Sequence, residues 1–294
     1  MELSLFTCPV CGGPLEKGKG VCRCGKGHSY DIASEGYLYL LPPNKKHSKL
    51  PGDDKQMVAA RRAFLQSGLY GIFVDALCEL VKDAVKGIRN PLVLDAGCGE
   101  GYYTGRMAEE LRKQAPCRIA GFDISKFAVK AAAKRYAGIE FSVASAFGIP
   151  VADAAADCLT DVFAPIVPGE FARAVKPGGA MILAVPGKRH LYGLKEILYD
   201  EPYENEEKDT EYEGFTFVQR IAVPGEITVR GNDRIRNLFA MTPYFWKTPE
   251  EGVKRLERTE TLKTEIEFDF LCYRREVPAP ICGESGGLKG DKNG

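Results

Sequence analysis

The chain has 294 residues, 45% of them apolar and 27% charged, and its 40 basic and 40 acidic side chains cancel to a formal charge of zero. That is an ordinary globular composition, long enough for one large domain or a catalytic domain with a small module. It excludes a disordered polyelectrolyte and a protein that holds nucleic acid by bulk basic charge. No run reaches the roughly 18 uninterrupted apolar residues of a membrane helix. The start, Met1-Glu2-Leu3-Ser4, lacks a basic stretch followed by an apolar core, so the expected location is the cytoplasm.

Residues 1–41 carry Cys8, Cys11, Cys22, Cys24 and His28. In a reducing compartment such crowding points to metal rather than disulfides. Cys8-Pro9-Val10-Cys11-Gly12 has the two-thiolate spacing of a zinc knuckle, and a tetrahedral structural site takes four ligands. The favoured set is Cys8, Cys11, Cys24 and His28, because Cys24-x3-His28 has finger-like spacing; whether Cys22 or Cys24 is the third thiolate stays open. So small a region buries little core, and the metal would supply its folding energy. Cys78, Cys98, Cys117, Cys158, Cys272 and Cys282 are scattered, as packing cysteines are.

Residues 42–85 read as a proline-bracketed basic linker (Lys45, Lys46, Lys49) followed by a helical stretch. Val58, Phe64, Leu65, Phe73, Leu77 and Leu80 fall at helical spacing, with a break at Gly68. Residues 86–275 alternate strand and helix. Strands are expected over 91–95, 118–123, 139–143, 158–163 and 180–185, helices over 103–114, 126–136 and 169–175, and later strands over 215–229 and 264–273. This order predicts an α/β fold: a Rossmann-like domain whose mostly parallel sheet has helices on both faces. Acidic residues 200–213 are expected to be a solvated excursion, and residues 276–294 a disordered tail.

Asp95-Ala96-Gly97-Cys98-Gly99-Glu100-Gly101 follows the first of these strands. Glycines 97, 99 and 101 leave no side chain between backbone and ligand, and the next strand ends in a carboxylate, Asp123, placed to accept hydrogen bonds from two ribose hydroxyls. The third glycine comes too soon for the dinucleotide pattern G-x-G-x-x-G, and Glu100 would repel a pyrophosphate at the helix start. The loop therefore suits S-adenosylmethionine better than a nicotinamide cofactor. By the same order of elements Ser145 and Ala146 would flank the adenine, and Phe163-Ala164-Pro165 would lie where the methyl emerges.

Beyond the cofactor loop the chain resembles the RlmA (RrmA) family of bacterial 23S rRNA guanine-N1 methyltransferases, from about Cys8 to Trp246. The likeness rests on Cys8-Pro-x-Cys11, Cys24-x3-His28, Glu35-Gly-Tyr37, Pro51-Gly-Asp53, Ala60-Arg-Arg-Ala-Phe-Leu65, the cofactor block, Ala131-Ala-Ala-Lys-Arg-Tyr136 and Pro186-Gly-x-Arg-His190-Leu191. It implies a zinc module that helps to hold RNA, a class I methyltransferase domain, a homodimer, and a target guanine in the helix 35 hairpin of 23S rRNA. It also implies that Tyr70, Gly99, Glu100 and His190 touch S-adenosylmethionine and that Cys8, Cys11, Cys24 and His28 bind zinc. The acidic excursion and the tail depart from the family pattern, and which of two neighbouring guanines is modified stays open.

Guanine N1 carries a proton that must leave before or during transfer, so a general base is expected, and Asp161 near the end of the fourth strand is the candidate. The target base must be unpaired or flipped. Candidate phosphate contacts are the linker lysines with Arg61, Arg62, Lys188 and Arg189. Two rivals are a small-molecule methyltransferase with a structural zinc lid and a non-catalytic RNA-binding protein that retains S-adenosylmethionine.

Overall fold

The computed structural model describes residues 2–42, 51–207 and 210–277. The linker lysines Lys45, Lys46 and Lys49 and the tail from residue 278 lie outside the described residues.

The chain opens with four short strands, β1 (Glu2–Thr7), β2 (Pro14–Lys17), β3 (Val21–Arg23) and β4 (Ser29–Asp31), which form an antiparallel sheet in sequence order. Then follow β5 (Leu38–Tyr39) and two helices, α1 (Lys55–Leu65) and α2 (Gly71–Ala84). Asp54 starts α1 by accepting from the Met57 amide at 2.9 Å, and the expected break falls at Gly68, whose φ of +77° no helix continues.

The alternating region is β6 (Leu92–Ala96), α3 (Tyr102–Arg112), β7 (Arg118–Asp123), α4 (Lys126–Arg135), β8 (Glu140–Val143), β9 (Ala156–Val162), α5 (Pro168–Ala174) and β10 (Val175–Pro186). The tenth strand begins five residues earlier than its apolar run suggests. Pro177-Gly178-Gly179 makes a bulge in its ladder with β9 rather than a turn before it, and a Cβ at Gly179 would press on the Lys176 and Asp157 carbonyls. Next come α6 (Tyr192–Leu198), β11 (Phe215–Arg230), α7 (Asn232–Ala240), a 3-10 turn Pro243–Trp246, α8 (Glu250–Glu257) and β12 (Thr261–Arg275).

The eight-stranded sheet has the order β11-β12-β10-β9-β6-β7-β8-β5. Strand β12 runs antiparallel between β10 and β11, while the other neighbouring pairs are parallel. The mostly parallel sheet is the class I methyltransferase architecture expected from the strand–helix alternation; the antiparallel β12 between β10 and β11 is not part of what that alternation predicts. Successive side chains alternate across it. Val93, Ile119, Cys158 and Ile182 face a core built with α2, α3, α6, α7 and α8. Leu94, Ala120, Leu159, Met181 and Leu183 face the other side.

That other side is covered partly by α5 and partly by the N-terminal module: Phe6, Leu15, Leu38 and Leu40 join one apolar cluster with Leu94, Phe122 and Phe171. The module is also tied in by backbone, since β5 pairs with β8 and the Thr7 amide donates to the Pro150 carbonyl at 2.8 Å. Glu140 on β8 reaches back, accepting from Ser4 Oγ at 2.7 Å and pairing with Lys17 at 2.9 Å.

The acidic excursion is not simply solvated. Lys195 on α6 is fully buried and donates to the Tyr203 carbonyl at 2.8 Å and to Asn205 Oδ1 at 2.7 Å, with the Tyr203 ring 4.2 Å away. A buried cation requires such acceptors, and they latch the first part of the excursion to the domain. Among the described residues no helix is long and apolar enough to cross a membrane.

Candidate active site and metal centre

Cys8, Cys11, Cys24 and His28 bring their ligand atoms within 4.8 Å of one another. The backbone makes this possible through two tight turns: Gly12 donates to the Cys8 carbonyl and Gly27 to the Cys24 carbonyl, each glycine at positive φ. Sγ of Cys11 and of Cys24 are 3.7 Å apart, and His28 Nδ1 lies 3.3 Å from Cys24 and 3.5 Å from Cys8. Tetrahedral zinc with bonds of about 2.3 Å to sulfur and about 2.0 Å to nitrogen requires separations of roughly 3.5–3.8 Å. The donor set therefore fits a closed structural zinc site. Cys22 is buried but does not join the cluster. Burial pushes the Cys8 thiol up, but the Tyr30 hydroxyl and the Val10 and Cys11 amides outweigh it and bring it down to about 6, into thiolate form at neutral pH.

The second site lies at the carboxyl ends of β6, β7, β9 and β10. In the glycine loop the amides of Gly97 and Cys98 both donate to the Phe122 carbonyl, and Gly97, Gly99 and Gly101 all have positive φ. Gly97 and Gly101 are required by packing. A Cβ at Gly97 would collide with Ala164, and one at Gly101 would come within 2.8 Å of Ala132. Gly99 is different: a Cβ there would meet only the end of a flexible side chain, Arg61 Nη1, at 3.8 Å, so neither backbone nor core packing crowds the loop at that point. Asp95 lies beneath it, 2% exposed, accepting from Thr104 at 2.5 Å and Thr160 at 2.8 Å. Burial raises its carboxyl to about 6 against those two hydroxyls, and it clamps the loop to α3 and β9 from below.

Asp123 ends β7, where its Oδ2 accepts from the Gly99 amide at 3.0 Å and its Oδ1 from the Ser125 amide at 2.7 Å. Each oxygen keeps acceptor capacity for a ribose hydroxyl, and the two amides aim the carboxylate. Ser145 and Ala146 form the turn after β8, beside Asp123, with Ser145 Oγ accepting from the Phe147 amide at 3.2 Å. Glu100 is buried; burial lifts its carboxyl to about 7, against the pull of Arg61, Arg135 and Arg62.

Tyr70 and His190 stand at the same end of the sheet, in an aromatic group with Phe268, which lies 4.9 Å from Tyr70 and 4.7 Å from His190. The Tyr70 hydroxyl is buried without a hydrogen-bond partner. His190 Nδ1 accepts from the Glu267 amide at 3.3 Å, and burial lowers its imidazole to about 3. It is therefore neutral, with its proton on Nε2, and acts as a donor rather than a base. A glycine loop overlain at Gly99 only by the Arg61 side chain, an aimed carboxylate suited to ribose hydroxyls, and two neutral donors suited to a carboxylate together fit S-adenosylmethionine.

Asp161 pairs in register with Ala96 at the centre of the sheet and is 2% exposed. Its Oδ1 accepts from the Ala164 amide at 3.1 Å, while Oδ2 is buried with no partner. Burial raises this carboxyl to about 7, opposed by the Ala164 amide and reinforced by Asp95.

Three features escape sequence reasoning. Arg61 reaches over the glycine loop, held by Asp53 and by the Met241 carbonyl at 3.4 Å. Phe163 is held at a left-handed φ of +58°. Lys188 and Arg189, expected to meet phosphates, are instead engaged within the chain: Glu204 pairs with both, and Glu265 pairs with Arg189 at 2.7 Å. The sequence carries no sign of the Arg61–Met241 and Arg189–Glu265 contacts, because those partners are 180 and 76 residues away.

Two family models match the chain: RlmA, N-terminal, a zinc ribbon, over residues 6–49, and a methyltransferase domain over residues 89–240. A 23S rRNA (guanine(748)-N(1))-methyltransferase of Streptomyces fradiae is 34% identical over 66% of this chain and 67% of its own length. A Micromonospora griseorubida protein provisionally named as a 23S rRNA (guanine-N(1)-)-methyltransferase is 36% identical over 66% of this chain and 69% of its own length. The similarly named YxjB of Bacillus subtilis is 27% identical over 92% of this chain and 97% of its own length. With its ribbon, its glycine loop and these relatives, the chain belongs to the RlmA-type family of 23S rRNA (guanine-N1)-methyltransferases.

Proposed function

We propose that this chain methylates N1 of a guanine in the helix 35 hairpin of 23S rRNA, at the position for which its Streptomyces fradiae relative is named, guanine 748. The observation that carries the chemistry is the unpartnered buried Oδ2 of Asp161, at the strand ends beside the glycine loop. Family likeness supports a cytoplasmic homodimer.

S-adenosylmethionine, when bound, supplies an electrophilic methyl group. Asp123, Gly99, Glu100, Tyr70 and His190 would hold it, with Ser145 and Ala146 beside the adenine. The protein's remaining task is to place guanine N1 and take its proton. Orientation of two reactants in one site removes much of the entropic barrier. Asp161, poised near neutral pH by burial, accepts the N1 proton on Oδ2 while the Ala164 amide holds Oδ1. His190 does not compete for this role, because its imidazole stays neutral and its accepting nitrogen is already occupied.

Labelled-methyl transfer to short transcripts tests the acceptor. The unmodified hairpin should be labelled, a transcript with adenine at the target should not, and binding should weaken steeply with salt. Label on a small-molecule acceptor, with none on the hairpin, would contradict the proposal.

A further inference from the structure

We propose that Phe163 is the platform on which the flipped guanine stacks; this rests on the reading of the site as a base methyltransferase. Four non-glycine residues among those described have positive φ, and Phe163 is the one aromatic among them. A bulky side chain in that region is strained, and the strain persists only where surrounding contacts over-determine it. Here three contacts do so. The Phe163 amide donates to the Ala184 carbonyl at 3.1 Å, the next amide, of Ala164, donates to Asp161 Oδ1 at 3.1 Å, and the Ala164 methyl packs on the bare Cα of Gly97.

The result is an aromatic ring held partly out of a core it could otherwise have completed. Phe163 is 44% exposed, whereas the rings flanking it, Phe73, Phe268 and His190, are at most 7% exposed. Their centroids lie 6.0, 5.8 and 5.8 Å away, with Phe73 nearly parallel to it. One side of the ring is thus backed by a rigid aromatic wall and the rest is open, two residues from the unpartnered Asp161 oxygen. A planar purine is the ligand that such a surface recognises: it brings a π-face for the ring and an N1–H for the carboxylate. Extruding a base forfeits its stacking in the RNA, and a rigid aromatic platform restores it without further ordering.

The test uses the full chain with Phe163→Leu, Phe163→Ala and Phe163→Trp, an unmodified hairpin, and S-adenosylmethionine affinity measured separately. Phe163→Ala and Phe163→Leu should lower kcat/KM for RNA by roughly 5- to 150-fold, the range of one lost base–aromatic stack, with cofactor affinity unchanged. Phe163→Trp should recover most of the loss. With 2-aminopurine at the target position, wild-type protein should leave the flipped base quenched, and Phe163→Leu should leave it bright. Wild-type activity in Phe163→Leu, or equal loss of cofactor affinity in the Leu and Ala variants, would overturn the platform and leave the rRNA assignment standing. If wild-type protein transfers no methyl to RNA, both fall.

Discussion

Removing zinc should unfold the catalytic domain together with the ribbon, in one transition. Phe6 and Leu15 of the ribbon share a continuous apolar cluster with Leu94, Phe122 and Leu159 of the central strands. The ribbon therefore acts as part of the lid on one face of the large sheet, alongside α5. Structural zinc contributes about 10–16 kcal/mol in zinc-finger peptides, against a total stability of about 5–15 kcal/mol for a typical domain. Loss of the metal exposes the sheet face as well as the ribbon interior. Cys24→Ser should behave as the stripped protein does, whereas Cys22→Ser, whose thiol lies outside the cluster, should keep a full equivalent of zinc. Hydrogen exchange reads the difference: amides of β6, β7 and β9 should lose protection on chelation. Retained protection there, with exchange confined to residues 2–31, would show that the ribbon folds independently of the sheet.

Asp161→Asn should lower kcat by about 10²- to 10⁴-fold, the usual contribution of a positioned general base, while leaving cofactor affinity in place. The direction of the pH dependence follows from burial. The carboxyl rises from an ordinary 3.8 to about 7, so the active, ionised form accumulates only as pH climbs through about 7. Wild-type kcat should rise with pH and level off above that point. Asp95, one register position away on the neighbouring strand β6, and Glu100 titrate nearby at about 6 and about 7, so the limb is assigned by its disappearance in Asp161→Asn. Stability should move the opposite way. A carboxyl with a raised folded-state pKa contributes stability that is present below pH 4 and lost as pH rises through 7, so the Asn variant should gain relative stability in the alkaline range. An unaltered pH–rate profile in the variant would remove Asp161 from the reaction.

Local patterns carried the parts of this fold that are themselves local. Residues 118–123 read as a strand and form β7 with the same ends, because an apolar run closes on the carboxylate that the loop amide of Gly99 later binds. The zinc ligands were legible from local spacing, Cys8-x2-Cys11 before Gly12 and Cys24-x3-His28, while the choice of Cys24 over Cys22 needed the fold. What local pattern does not carry is which distant elements meet. Strand β12 inserts between β10 and β11, pairing with residues as far off in sequence as Ala180 is from Arg274, and nothing in its own sequence names that partner. The seat of Phe6 and Leu15 on the sheet, the reach of Arg61 to Met241, and the capture of residues 203–205 by Lys195 are long-range in the same way. Phe163 is the remaining case: its left-handed backbone follows from its amide's bond to Ala184 and from the seating of the next residue, Ala164, against Gly97 and Asp161, and an isolated phenylalanine favours the opposite sign of φ.

The measurement that bears most directly on the account is methyl transfer to intact 23S rRNA lacking the modification, followed by primer extension. A methyl on N1 blocks base pairing, so wild-type protein should create one new stop, in the helix 35 hairpin, that Asp161→Asn does not create. Stops scattered over many guanines, or incorporation without any stop, would contradict it.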